Sequence, residues 1–195
     1  MKRIAALIAA VLLAAAGLHA QVGIIGGYTS SDMKKAKTGN ASMYHVGVAY
    51  KAKVPLVGIT LQPSLQYAVK GAKTGDSTFK ANYLELPVDI QWGMDLILLR
   101  PYLMVSPFVG YRLGRIKGDK FNIDTDALND AVNRLEYGLG LGGGLEVMDF
   151  VQLSVQYYWN FGHLMNDDKV VGNILQGLVG KGNFSGVKVS AALFF

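Results

Sequence analysis

The chain has 195 residues, of which 51% are hydrophobic, and it contains 24 glycines and no cysteine. This length favours one domain with its own core, and without cysteine neither a disulfide framework nor a thiolate metal site is possible. The formal net charge of +5 is spread along the chain. Its only tight basic cluster, Lys34 to Lys37, is too short to predict a nucleic-acid surface.

The N-terminal segment, residues 1–20, resembles a secretory signal peptide. Lys2 and Arg3 form a charged start, an apolar stretch follows, and Leu18-His19-Ala20 is a plausible cleavage site. A membrane anchor helix is the alternative, but the apolar stretch is short and ends in small residues. We therefore expect an exported protein whose mature domain spans residues 21–195.

From Gln21 onward, apolar and polar residues alternate with a period of two, which predicts β-strands. The breaks near residues 53–55 and 148–150 are short, whereas those near 31–42, 71–79, 115–134 and 163–182 are longer and more polar. Short turns at one end and long loops at the other are typical of an outer-membrane barrel. The predicted strands are Val22–Thr29, Tyr44–Lys51, Ile59–Lys70, Tyr83–Trp92, Pro101–Gly114, Leu135–Val147, Val151–Phe161 and a last one that ends at Phe195.

Alternation alone does not say whether the apolar face points inward, as in a lipocalin-like soluble barrel, or outward, as in a membrane barrel. Aromatic residues recur near the ends of the apolar stripes, as interfacial girdles require. The polar stripe carries small residues, where a soluble surface would carry Lys and Glu. Each apolar stripe has about five residues, enough for a band roughly 25 Å tall. We therefore predict an all-β fold, an eight-stranded antiparallel up-and-down transmembrane β-barrel.

Eight strands leave an interior that side chains can fill. The polar stripe would place a structural charge network in this lumen, together with Lys51 and Lys70. Four alternate glycines, at 138, 140, 142 and 144, would yield volume to bulkier lumen residues: Tyr83, Phe108, Arg112 and Tyr158. Individual ion pairs cannot be assigned without the strand register. The predicted network consists of Glu85, Asp89, Arg112, Glu136, Glu146 and Lys188.

Three prolines, Pro63, Pro87 and Pro107, lie inside predicted strands. A closed barrel has no free edge for a residue without an N–H group. We therefore expect β-bulges or strand ends at these positions.

Three other patterns have weaker functional interpretations. GLGLGG (138–143) has the letters of a dinucleotide-binding motif but continues the strand alternation, so packing glycines are favoured. Asp124, Asp126, Asp130, Asp167 and Asp168 could bind calcium, but EF-hand spacing lacks its glycine and glutamate, which favours solvated loops. His45 could pair with Ser64 or Ser154 in a barrel enzyme, although any polar lumen residue would give the same pattern.

Several phrases in this order resemble the PorT-like porin-family outer-membrane β-barrels: LQPSLQYAVKG (61–71), YLELPVDI (83–90), PFVGYRLG (107–114) and YGLGLGGGLEV (137–147). The resemblance implies an eight-stranded barrel with both termini in the periplasm. Phe195 resembles the terminal aromatic signal that the barrel-assembly machinery reads. Ser64 departs from the acidic residue that such proteins often carry there, so the resemblance does not determine how the lumen charges are arranged.

We expect an integral outer-membrane barrel with a filled polar lumen and a structural or surface-interaction role, without enzymatic activity, cofactor or metal. Expected partners are outer-membrane lipids and lipopolysaccharide, and the barrel-assembly machinery during biogenesis. Nucleic acid is not an expected partner. The alternatives are a small solute or ion pore, an accessory component of secretion or surface assembly, and a barrel enzyme acting on lipid acyl chains.

Overall fold

The computed structural model describes residues 19–33, 41–54, 58–74, 77–118, 135–161 and 184–195. These residues form eight strands, as the alternation predicts. None of them belongs to a helix long and apolar enough to cross a membrane. The strands are β1 (His19–Met33), β2 (Ala41–Val54), β3 (Ile59–Thr74), β4 (Ser77–Gly93), β5 (Leu99–Gly118), β6 (Leu135–Val147), β7 (Val151–Asn160) and β8 (Phe184–Phe194).

Each strand pairs antiparallel with the next one along the chain, and β1 pairs with β8 to close the barrel. The closing ladder runs from Gly23 opposite Phe194 to Met33 opposite Phe184. Closure removes the free edges that an open sheet would expose. The predicted eight-stranded up-and-down barrel is therefore confirmed.

The two ends of the barrel differ in their connections. We call the end that holds the start of β1 and the end of β8 the terminal end; residues 55–58, 94–98 and 148–150 connect strands there. At the other end, the far end, the connections are 34–40, 75–76, 119–134 and 161–183. Most of these far-end residues lie outside the described ranges, as does the expected signal peptide up to residue 18.

The expected long break at 71–79 is wrong. β3 continues to Thr74 and β4 begins at Ser77, with Thr74 opposite Ser77 and Lys73 opposite Thr78. These residues are polar and do not alternate with apolar ones, so the sequence pattern does not indicate a strand here. Backbone hydrogen bonding between neighbouring strands does not require an apolar stripe. β5 likewise extends to Gly118, four residues past the predicted strand end.

The alternation places an apolar row outside and mainly polar or small residues inside, apart from an apolar inner group of Ile25, Ala49, Ala192 and Phe194. Val46, Val48, Leu103 and Val105 are exposed on the outer surface, whereas Gln62, Gln66 and Glu146 are buried. Not every outward position is exposed: Ala52 and Val69 are buried, and Val69 packs on Met43 beside Tyr67. The outside of the barrel is apolar and the inside polar, as a membrane barrel requires.

The expectation of a bulge or strand end at each proline is also wrong. Pro63, Pro87 and Pro107 lie within strands, and each interrupts the ladder to the preceding strand for two steps. The register is the same before and after each gap. A proline ring fits the extended backbone and removes only one ladder hydrogen bond. The register shift of the β4–β5 ladder lies elsewhere, between Lys80 and Asn82.

Candidate functional site in the barrel lumen

All six charged residues of the predicted network are buried, none of them more than 7% exposed. The ion pairs among the described residues form two clusters, one toward the far end and one toward the terminal end, and Asp89 belongs to neither. The far cluster contains Lys70, Glu85, Glu136 and Lys188. The terminal cluster contains Lys51, Lys53, Asp95, Arg100, Glu146 and Asp149.

Lys70 is the centre of the far cluster. Its Nζ lies 2.6 Å from Glu85 Oε1 and 2.5 Å from Glu136 Oε1. Lys188 Nζ lies 3.5 Å from the other carboxylate oxygen of Glu85. Because β3, β4, β6 and β8 supply these four side chains, the cluster bridges the interior of the barrel.

Side-chain amides complete the hydrogen bonding of the far cluster. Asn160 Nδ2 donates to Glu136 Oε2 at 2.8 Å, and Lys188 Nζ donates to Gln66 Oε1 at 2.6 Å. Buried charges are tolerated when their remaining hydrogen-bonding capacity is met in this way. The inward-facing amides Gln66 on β3 and Asn160 on β7 therefore complete the hydrogen bonding of the buried charges.

Aromatic rings surround the Lys70 ammonium group. Its Nζ lies 5.0 Å from the ring centre of Phe108, 5.3 Å from that of Tyr83 and 5.4 Å from that of Tyr158. Phe108 and Tyr158 also contact each other edge to face. Cation–π attraction strengthens when the cation is desolvated. The rings thus both fill the lumen and stabilise the cation at its centre.

Glu146 is the centre of the terminal cluster. Its Oε1 lies 2.7 Å from Lys53 Nζ and 3.4 Å from Lys51 Nζ, and its Oε2 lies 3.8 Å from Arg100 Nη1. Gln152 Nε2 donates to Oε2 at 2.7 Å. Three cations therefore converge on one buried carboxylate just inside the terminal end.

The turn between β6 and β7 supplies a second acceptor for these cations. Lys53 donates to the Asp149 carboxylate and Lys51 to the Asp149 backbone carbonyl. Met148 and Asp149 have φ values of 50° and 66°, a left-handed turn that points the Asp149 carbonyl and carboxylate back at the barrel opening. The hydrogen bond from Lys53 lowers the pKa of Asp149 below its usual value.

A layer of glutamines continues inward from Arg100. Arg100 Nη1 donates to Gln91 Oε1 at 3.1 Å, and Gln91 Nε2 donates to Gln62 Oε1 at 2.8 Å. Arg100 Nη2 also reaches the carbonyl of Gly58 at 3.2 Å. These hydrogen bonds join the neighbouring strands β5, β4 and β3 along one side of the lumen, next to the terminal cluster.

The remaining predicted residues have local partners. Ser106 donates to the Asp89 carboxylate, and Arg112 lies on β5 opposite Tyr83. The far cluster brings together Glu85, Glu136 and Lys188 of the predicted set, whereas Glu146 lies in the other cluster. Only the strand register could have shown this division.

His45 does not pair with either predicted serine. Its Nδ1 lies 3.2 Å from Thr29 Oγ1 and its Nε2 lies 3.0 Å from Ser190 Oγ. Ser64 instead accepts a hydrogen bond from Gln66 at 2.7 Å. His45 is 2% exposed, so this group joins β1, β2 and β8 inside the lumen.

The β6 glycines provide room for large lumen side chains. A Cβ added at Gly138 would overlap the Phe108 ring, and one at Gly144 would overlap the Tyr102 ring. At Gly140 the nearest atom belongs to Gln156. Space for Phe108 agrees with the prediction, whereas Tyr102 was not predicted. Gly138 to Gly143 lie inside β6 without a following helix, so the dinucleotide interpretation is wrong.

The space left between the side chains beside the far cluster is small. A cavity beside the far cluster has a volume of about 20 Å³, room for about one water molecule. The described residues contain no group of three His, Asp or Glu side chains that could hold a metal ion. The calcium candidates Asp124, Asp126, Asp130, Asp167 and Asp168 lie outside the described residues. The cavity is lined by Thr29, Lys70, Glu85, Pro87, Ser106, Phe108, Gln156, Tyr158 and Lys188.

Sequence reasoning missed four charged residues of the terminal cluster: Lys53, Asp95, Arg100 and Asp149. Each lies in a turn or within two residues of one, where the alternation ends and the period no longer shows which way a side chain faces. A usable signal was present, because each of the short terminal-end connections has a charged residue in it or within two residues of it.

Comparison with solved structures finds similarity to bacterial outer-membrane proteins. Neisserial surface protein A has a TM-score of 0.50 and 12% sequence identity, over 90% of this chain and 97% of that chain. Ail, the attachment invasion locus protein of Yersinia pestis, has a TM-score of 0.44 and 11% identity over the same shares. A major outer membrane protein from Thermus thermophilus has a TM-score of 0.44 and 12% identity, over 91% of this chain and 100% of that chain.

Sequence comparison places the chain in a family. No curated protein matches it. The family model described as "Outer membrane protein beta-barrel domain" matches residues 15–166, which include β1 to β7. Together with the closed barrel and its apolar exterior, this match shows that the chain belongs to the outer membrane protein β-barrel domain family.

Proposed function

We propose that this outer-membrane barrel is closed to solutes and has a structural or surface-interaction role. One observation carries the proposal: side chains from strands around the barrel meet across the lumen at two levels. Lys70 connects Glu85 to Glu136 at one level, and Glu146 gathers three cations at the other. A conducting pore would need a continuous water-filled path through both levels.

The charges at each level are close to balanced. In the far cluster, two lysines face two glutamates. In the terminal cluster, Lys51, Lys53 and Arg100 face Glu146, Asp149 and Asp95. Opening the far level would separate buried paired charges in a poorly hydrated space, which costs several kcal/mol per uncompensated ion. The balance favours a permanent plug over a gate.

Proteoliposome swelling in solutions of small sugars tests this proposal. The wild-type protein should give no swelling above that of empty liposomes. A Phe108→Ala/Tyr158→Ala variant removes two rings beside Lys70 and provides a comparison with a partly emptied lumen. Sugar entry through the wild-type barrel would favour the pore alternative and contradict the proposal.

We further propose the orientation and biogenesis that the sequence suggests. The short connections of the terminal end are typical of the periplasmic side, which supports termini in the periplasm. The charged start and apolar stretch of residues 1–20 support a cleaved segment before residue 21. Phe195 is 80% exposed, and its backbone N–H donates to Val22 O at 2.8 Å. The ring is thus free to act as a recognition signal for the barrel-assembly machinery. The far-end loops would then face lipopolysaccharide.

The PorT-like resemblance supports an accessory role in secretion or surface assembly as a second candidate. Co-purification of secretion components in mild detergent would favour it, and their absence would count against it. An enzymatic role has less support, because His45 is enclosed by Thr29 and Ser190 inside the lumen. If His45→Ala abolished a measured lipase or acyltransferase activity, the non-enzymatic proposal would be wrong.

A further inference from the structure

The turn between β4 and β5 is unusually apolar for a connection outside the membrane. Its residues 94–98 read MDLIL. Ile97 is fully exposed, and Met94, Leu96 and Leu98 are more than half exposed. Short turns of membrane barrels ordinarily lie in water, where such exposure of large apolar side chains is unfavourable. These residues therefore require an apolar environment.

The neighbouring turn between β6 and β7 extends this surface. Met148 N donates to Leu98 O at 2.9 Å, so the two turns are in direct contact. Met148 and Phe150 are also exposed. We name this continuous surface the apolar rim; it consists of Met94, Leu96, Ile97, Leu98, Met148 and Phe150.

Much of the backbone of the apolar rim is already hydrogen-bonded within the protein. Met94 N donates to Pro101 O, Leu96 N to Leu99 O, and Phe150 N to Val147 O. An unpaired N–H or C=O group in a bilayer costs several kcal/mol, so internal pairing is a condition for immersion. These bonds reduce the dependence of the rim on water.

The acidic residues of the two turns face the barrel opening. Asp95 Oδ1 lies 3.3 Å from Nε of Arg100, whose side chain is buried. Asp149 is bound by Lys53 at the same opening. Both charges are paired with lumen cations, which leaves the outer side of the rim apolar.

The apolar rim is continuous with the lipid-facing surface of the barrel. On β4 the exposed residues Ile90 and Trp92 lead directly to Met94. The outward row of β5 is apolar from Leu99 to Leu113, which spans about 35 Å along the membrane normal at a tilt of about 40°. On β1 the corresponding row from Val22 to Tyr28 spans only about 15 Å.

We propose that the apolar rim is immersed in the membrane leaflet at the terminal end, where it binds lipid acyl chains. The lipid-contacting belt is then deeper on the side of β4 to β7 than on the side of β1. A barrel with such a belt either tilts in the bilayer or deforms the leaflet around the rim.

Site-specific fluorescence tests this proposal. The chain has no cysteine, so Ile97→Cys and Gln21→Cys can each be labelled alone with the environment-sensitive dye NBD. Ile97 is exposed and Gln21 is half-exposed at the terminal end, but Gln21 is a polar residue on β1, away from the rim. The labelled proteins are refolded into phosphatidylcholine vesicles, and quenching is measured with aqueous iodide and with nitroxide-labelled lipids.

The two positions should differ. We expect the dye at Ile97 to emit at shorter wavelength, to resist iodide several-fold better, and to be quenched by lipid nitroxides more strongly than the dye at Gln21. Because both variants carry the same dye, any tendency of the dye itself to enter the bilayer is matched. Equal iodide quenching at both positions would overturn the proposal and would indicate that the rim is either wet or covered by a protein in the cell.

Discussion

The ammonium group of Lys70 lies 2.5 Å from a carboxylate oxygen of Glu136, although β3 and β6 are separated by two other strands. This ion pair therefore crosses the lumen instead of following the sheet. Glu85 approaches the same ammonium group at 2.6 Å. One cation thus holds two carboxylates that would otherwise be buried close together with like charge.

Lys70→Met should destabilise the barrel strongly. Removing one partner of a buried ion pair typically costs about 3 to 5 kcal/mol, because the other charges remain buried without compensation. Urea unfolding in lipid vesicles, followed by gel mobility with and without heating, measures the change.

A double variant, Lys70→Met/Glu136→Gln, provides the matched control. It neutralises Glu136 and leaves Glu85 paired with Lys188, so its stability should lie between those of wild type and Lys70→Met. If the single and double variants were equally destabilised, ion pairing would not be the reason for the loss.

Gly138→Ala should destabilise the barrel by about 1 to 3 kcal/mol, the usual cost of overpacking. The new methyl group would overlap the carbonyl oxygen of Trp159 and the Phe108 ring. Gly26→Ala is the control, because its nearest neighbour would be His45 O at 3.4 Å. Equal unfolding midpoints for the two variants would show that the lumen is less tightly filled than we infer.

The Asp149 carboxylate should make the stability of the barrel depend on pH in the acidic range. Its pKa is lowered by the hydrogen bond from Lys53, so the folded state binds its proton less readily than the unfolded state. The stabilisation of the folded barrel by ionised Asp149 is fully present above the pKa of the unfolded state, about 3.9. It is lost as the pH falls through the lower pKa of the folded state.

Asp149→Asn tests this dependence and keeps a residue that tolerates the left-handed backbone. The difference in unfolding midpoint between wild type and this variant should shrink as the pH falls below about 4. In a Lys53→Met background the same substitution should have little effect. A difference that stays constant over the whole acid range would contradict the Lys53–Asp149 interaction.

Phe195→Ser should reduce assembly in cells without weakening the folded barrel. The Phe195 ring is exposed, whereas Phe194 is buried with Lys51 Nζ 4.4 Å from its ring centre. Phe194→Ser should therefore lower stability after refolding in vitro, and Phe195→Ser should not. Normal outer-membrane levels of Phe195→Ser in cells would count against a recognition role for this ring.

The alternation of residues was sufficient to predict the number of strands and which face of each is apolar. It failed at the strand ends, because polar residues such as Thr74 and Ser77 pair through backbone groups that the sequence pattern does not show. It also failed at the prolines. There the hydrogen-bonded ladder omits two residue pairs and then resumes in the same register, and the composition of a strand does not reveal that a barrel can accommodate such a gap. The outward placement of Val69 did not predict its burial against Met43.

The lumen residues were predictable one by one, but their partners were not. Glu85 and Glu146 alternate with apolar neighbours in the same way, yet they belong to clusters at different levels. The level depends on the stagger of strands around the barrel, which short sequence windows do not determine. Asp149 reaches its cluster through a left-handed turn, and no period-two pattern includes such a residue.

Single-channel recording in planar bilayers tests the central claim, a lumen closed by paired charges and aromatic rings, most directly. The wild-type barrel, reconstituted beside an unrelated conducting porin as the positive control, should insert without producing a steady open state. A stable, reproducible conductance step from the wild-type protein would contradict the claim, because ions would then cross both levels of charged side chains.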